Sequence, residues 1–240
     1  MTLKLYLLPL ALLTLPTIAL AQHQKFNPLT LRHQLDSLDQ AYQRHERRND
    51  AAFERAEADS LLKPIYLPNG ALAGYTGPTP SWEAPPDSTD LRFVSAIIRR
   101  YGYPGKSLVG QPASEIAWRV LQRTNQTTCF LPQLREAAEA GELSYQHYAS
   151  AVDIQRMQAG KKQLYGTQVV NCFIKSHSTG QLDVVRFLWP VADMRRADEL
   201  RRRAGFTTTV AQDAQLQGLP AEPVSLEYAL RMKHAAETGE

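Results

Sequence analysis

The stretch that decides the fold runs from Ser144 to Trp189 and reads SYQHYASAVDIQRMQAGKKQLYGTQVVNCFIKSHSTGQLDVVRFLW. Its hydrophobic period changes part-way along. Over Ser144–Gln158, Tyr145, Tyr148, Ala149 and Val152 recur at helical spacing, and Gly160-Lys161-Lys162 ends the helix. From Gln163 to Lys175 the residues that favour strands take over: Tyr165, Thr167, Val169, Val170, Phe173 and Ile174. Ser176-His177-Ser178-Thr179-Gly180 reads as a turn, and Leu182–Trp189 as a second strand closed by Pro190. The spacing predicts a β-hairpin. Both of its faces are apolar at several positions, so helices should cover it.

Working outward, the rest of the chain reads as helix. Leu31, Leu35, Leu38 and Tyr42 form one stripe in a helix from Leu29 to about Leu62, which continues through a charged run at residues 44–50. Further helices are expected at Asp87–Tyr101, Pro112–Asn125 and Leu131–Ala140, the first stopped by Gly102-Tyr103-Pro104-Gly105. Beyond the hairpin come a basic helix at Met194–Ala204 and a last helix at Ser225–Ala236. Between the first two helices lies different material. Residues 64–86 hold Pro64, Pro68, Pro78, Pro80, Pro85 and Pro86, and cannot run as a helix. They read as a surface excursion that Tyr66, Tyr75 and Trp82 hold against the body. The fold class expected is α+β, mainly α-helical: one helix-rich domain over residues 22–240 with a two-stranded hairpin near its C-terminal end.

The first 21 residues read as an address. Lys4 precedes an apolar run from Leu5 to Leu20 that ends in Ala19-Leu20-Ala21, which is the pattern of a secretory signal peptide. The expectation is a bacterial chain cleaved after Ala21 and placed in the periplasm or secreted, with no membrane span after cleavage. Export bears on Cys129 and Cys172: an oxidising compartment permits a bridge between them, and two buried thiols are the alternative. With 27 Lys+Arg against 24 Asp+Glu, the net charge of +3 excludes a strongly basic, nucleic-acid-binding composition. The six His, at 23, 33, 45, 147, 177 and 234, lack metal-ligand spacing, so no metal or cofactor is expected.

No established catalytic signature is present. Three groups of polar residues stand out instead. Asp39 and Gln40 sit at the rim of the first helix's stripe, and Asp153 at the rim of its own, three residues before Arg156. Residues 160–168 crowd Lys161, Gln163, Tyr165 and Gln168 between a helix and a strand. Amides both donate and accept hydrogen bonds, which suits a sugar or peptide-like ligand. Packing is the competing account: rim polar groups must find partners, Asp153 could pair with Arg156 or Lys161, and Gly166-Thr167 could form a bulge.

These pieces carry a resemblance. Asp36-x-x-Asp39-Gln40, Gly102-Tyr103-Pro104, Gln122, Tyr148-Ala149, Asp153 and Gly160-Lys161-x-Gln163-x-Tyr165-Gly166-Thr167-Gln168 follow the order of motifs in an uncharacterised bacterial family, a domain of unknown function. The chain is similar to that family over roughly residues 29–168. Arg123 stands where the family has His after Gln122, and Ile154 where it has Arg after Asp153. The resemblance implies a site and no particular reaction.

Three functions are consistent with the sequence. The first is an exported domain whose polar cleft, lined by Asp39, Gln40, Asp153, Gln163, Tyr165 and Gln168, binds a small polar ligand or an envelope polymer. The second is a hydrolase of envelope sugars or peptides with Asp39 and Asp153 as acid and base, which needs the carboxylates about 5–10 Å apart across one cleft. The third is a structural or interaction protein in which these residues only pack. The arginines of Met194–Ala204 read as solvated surface, or as a contact for acidic envelope polymers.

Overall fold

The computed structural model describes residues 27–59, 61–66, 72–76, 87–175 and 182–238. The segment expected to be a signal peptide, most of the Pro-rich excursion and the expected turn at 176–180 lie outside the described residues, as do the side chains of Tyr66, Tyr75 and Trp82 on which the packing of the excursion was expected to rest.

Helix α1 spans Pro28–Ala58. Asn27 caps it, its side chain accepting the Leu29 N–H at 2.9 Å, and Pro28 supplies a first position that needs no N–H. Leu31, Leu35 and Tyr42 of the expected stripe are buried, and His45 continues the buried face. The excursion then contributes a short antiparallel pair, β1 (Lys63–Tyr66) and β2 (Leu72–Thr76), which its prolines had concealed. Helix α2 covers Asp87–Tyr101, and Gly102 ends it at φ +79°, a backbone conformation that glycine adopts without strain. A single turn, α3 (Lys106–Val109), leads into α4 (Ala113–Arg123).

Helix α4 is the axis of the N-terminal half. Ile116, Ala117, Trp118, Val120 and Leu121 are all buried. One of its sides packs with Tyr42, Val94, Ile98, Phe130 and Leu134. Another side, through Ile116, packs with Leu31, Leu35, Ile97 and Val109. Each such aliphatic side chain contributes about 1.5–3 kcal/mol through burial. A 3-10 turn at Thr127–Phe130 and helices α5 (Leu131–Glu139) and α6 (Tyr145–Gln158) complete this half.

The C-terminal half is built on β3 (Val169–Lys175) and β4 (Leu182–Leu188), antiparallel with Val169 opposite Leu188 and Cys172 opposite Val185. The α+β, mainly helical class read from the sequence is the observed one. The face carrying Cys172, Phe187 and Val170 lies under α9 (Leu226–Thr238), against Tyr228, Ala229 and Met232. The opposite face is covered only near Val169 and Leu188, by α7 (Met194–Arg203) and α8 (Val210–Leu216), and Phe173 on it is exposed. Helix α8 falls where no helix was expected. Its start was nevertheless written in the sequence, as a capping box in which Thr209 and Gln212 exchange side-chain and backbone hydrogen bonds. Cys129 is an exposed free thiol and Cys172 a buried one, so the bridge does not form.

Two expectations need correction here. The first strand begins at Val169 and not at Gln163, because Gln163 makes only an isolated bridge with Val191, and the N–H groups of Leu164, Tyr165, Thr167 and Gln168 are taken by the Asp153 and Gln163 side chains. The basic helix is not uniformly solvated, because Arg201 lies on its inner face beside Ala197 and Ala204 and is 1% exposed.

Candidate functional site

Asp153 is the centre of the 163–168 turn. It was expected at the rim of its helix, and it is 0% exposed. The apolar stripe of α6 explains the difference. Ala149 of that stripe is fully buried against Tyr165 and Ala204, and Asp153 follows it by one turn on the same flank, while Ala151 is buried on another side against the α4 core. One Asp153 oxygen accepts the Leu164 N–H at 2.7 Å and the Tyr165 N–H at 3.1 Å. The other accepts the Tyr165 N–H at 3.2 Å, the Thr167 N–H at 3.0 Å and the Thr167 hydroxyl at 3.0 Å. Arg156 turns away and donates to the Lys162 carbonyl. Burial pushes the Asp153 carboxyl above the usual carboxylate range, and the donated hydrogen bonds pull it back.

The remaining motif residues complete the same object. The Gln163 side chain is fully buried; it donates to the Gln168 and Trp189 carbonyls and accepts the Gln168 N–H. The Gln168 amide donates to Ser150 and to Thr167. The Lys161 side chain is exposed, while its carbonyl accepts the Trp189 indole N–H. Tyr165 is buried, with its phenol pushed up to about 12 by burial and by the neighbouring Tyr145 and Tyr148. Gly166 sits at φ +65°, and a Cβ there would meet the Val210 methyls at 2.8 Å. From the far side, Arg201 donates to the Tyr165, Gly166 and Thr208 carbonyls, pairs with Asp213 at 3.0 Å and stacks on Phe206. The turn is therefore held between a buried anion that takes its N–H groups and a buried cation that takes its carbonyls. Arg201 is the member that sequence reading missed, although its place on the Ala197–Ala204 face was visible in the helical spacing.

Asp39 has partners of its own. It accepts from Arg119 of α4 at 2.5 Å and from Gln43 at 2.7 Å, and shares no hydrogen-bond partner with Asp153. Gln40 is exposed on α1. One turn before Arg119, Glu115 bonds the Nε2 of His147 at 2.7 Å, and the imidazole stacks on Trp118 with centroids 4.6 Å apart. Nε2 is the outer nitrogen of the ring, so this bond ties α6 to α4 and uses the position a general base would present to substrate.

An open concavity lies on the other side of α6. Between α5 and α6 a cleft of about 710 Å³ is lined by Leu131, Pro132, Arg135, Glu136, Tyr148 and Gln155, with Thr128 and Glu139 at its margin. Leu131, Pro132 and the Tyr148 ring give it apolar surface. Arg135 pairs with Glu139 at 2.7 Å, and both lie close enough to the Tyr148 phenol to act on it electrostatically. Burial is the larger influence on that phenol and raises its pKa. Among the described residues no cluster of three or more His, Cys, Asp or Glu gathers as metal ligands, and no helix is long and apolar enough to cross a membrane. Comparison with protein-family models, with curated proteins and with solved structures returned no match.

Proposed function

We propose that the protein is an exported binding domain for a small polar ligand or envelope component, and that the ligand occupies the α5–α6 cleft. The observation that carries this reading is the arrangement around Tyr148. An aromatic ring and a Pro-Leu floor stand beside a guanidinium, carboxylates and the Gln155 amide in one concave surface. Apolar lining with a few convergent polar groups is the general composition of small-molecule sites. A sugar fits it, because its C–H face covers an aromatic ring while its hydroxyls require both donors and acceptors.

The hydrolase reading draws no support from Asp153, whose two oxygens are occupied inside the turn. The packing account describes the 163–168 segment well and leaves the cleft without a role. Titration calorimetry with bacterial envelope saccharides tests the proposal. Binding that is lost in Tyr148→Ala and kept in Tyr148→Phe supports it. Equal binding by the wild type and Tyr148→Ala, or none by either, sinks it. Export is tested separately, by finding Gln22 at the N-terminus of the secreted or periplasmic protein.

A further inference from the structure

We propose that the outer face of α7 is a docking surface for a linear acidic polysaccharide. The helix carries Arg195, Arg196, Arg201, Arg202 and Arg203, and the structure divides them into two jobs. Arg201 points inward and anchors the helix through its bonds to the 165–166 turn, Thr208 and Asp213. The others are exposed on the helix so anchored. Asp193, Arg195, Arg196, Glu199, Leu200 and Arg203 line a cleft of about 480 Å³.

The acidic groups beside them are already engaged. Asp193 is the N-cap and accepts the Arg196 N–H at 2.9 Å, and Glu199 pairs with Arg203. Among the described residues no carboxylate is ion-paired with Arg195, Arg196 or Arg202, the pairs of this region being Arg201–Asp213 and Arg203–Glu199. Uncommitted guanidiniums on a fixed helix need less ordering on binding than a mobile loop would, and they present planar donors suited to carboxylates. Arg195 and Arg203 lie two helical turns apart along the cleft, with Glu199, which Arg203 neutralises, between them, so the cleft runs along the helix.

The choice among polyanions rests on shape and on Leu200. A bilayer-docking helix presents an apolar face to insert into the lipid, whereas this surface is concave and charged at every lining position but Leu200. Leu200 lies in the cleft among the charges, where the C–H face of a sugar ring can cover it and a bare phosphate chain cannot. A chain of uronic acids supplies both the carboxylates and the rings.

Fluorescence titration with polygalacturonate tests the proposal, with inorganic polyphosphate, single-stranded DNA and phosphatidylglycerol vesicles as rival probes. The expected result is binding to polygalacturonate that weakens steeply with salt. It should fall about tenfold in Arg195→Ala/Arg196→Ala, recover in Arg195→Lys/Arg196→Lys, and stay unchanged in Arg44→Ala/Arg47→Ala on α1. Both target arginines are exposed, and an unchanged melting temperature checks that the fold survives. Unchanged affinity in the Ala double variant overturns the proposal. So does no binding, or binding to polyphosphate, DNA or vesicles as tight as to polygalacturonate.

Discussion

The two halves of the molecule are held together by different physics. Around α4 the N-terminal half is an assembly of apolar stripes, in which Leu35, Val94, Ile98, Ile116 and Leu121 interlock and any side chain of similar volume meets the same need. Around the 163–168 turn the C-terminal half depends on Asp153, which reaches it from α6, and on Gln163 and Arg201, three buried polar side chains whose hydrogen bonds are directional. The first half specifies a shape; the second specifies which atoms donate and which accept. A substitution that keeps shape and changes hydrogen-bonding character should therefore separate them.

The largest effect follows from that contrast. Asp153→Asn preserves volume but turns an acceptor into a donor facing N–H groups, and should cost about 2–4 kcal/mol as two or more donors lose their partner. Leu35→Met, equally conservative in volume, should cost less than about 1.5 kcal/mol. Urea unfolding of the two variants measures the difference, and equal costs would dissolve the distinction between the halves.

The same contrast sets what the sequence could reveal. Stripes such as Leu31, Leu35, Leu38 and Tyr42 recur at a fixed period, so the helices of the first half were legible from spacing alone. The motif at 160–168 was legible as unusual, and its location beside the hairpin was correctly read. Its role was not, because residues 163–168 are made by Asp153, ten residues upstream of the turn, and by Arg201, far downstream. Polar side chains carry no period that says whether they face water or the interior. Asp153 follows Ala149 of the stripe by one turn, and the residue types of α6 alone do not say that this flank meets the 163–168 segment.

A smaller effect sharpens the picture at high pH. The Tyr165 phenol is pushed up from 10 to about 12, so the folded state holds this proton longer than the unfolded chain. The stabilisation is present in full below pH 10 and is lost as pH rises through about 12. Phenolate absorbance should show Tyr165 titrating late, together with Tyr103, whose phenol burial also raises. In Tyr165→Phe the late component should shrink; an unchanged late component would mean that the turn does not shelter this phenol.

The smallest effect belongs to the surface of the first half. Asp39→Asn breaks the pair with Arg119, which is 43% exposed, and should change stability by only about 0–1 kcal/mol. A melting-temperature loss as large as that of Asp153→Asn would show that directional polar contacts hold both halves.

The placement of two tryptophans gives each half its own optical reporter. Trp118 is buried in the helical core and stacks on His147, while Trp189 is fully buried and hydrogen-bonds the Lys161 carbonyl at the base of the turn. With Trp82 and either Trp118 or Trp189 replaced by Phe, the remaining single tryptophan would emit from one half at a time. Coincident emission changes during denaturation would mean that the apolar assembly and the polar turn melt as one cooperative unit, and separate changes that each is a foldon of its own.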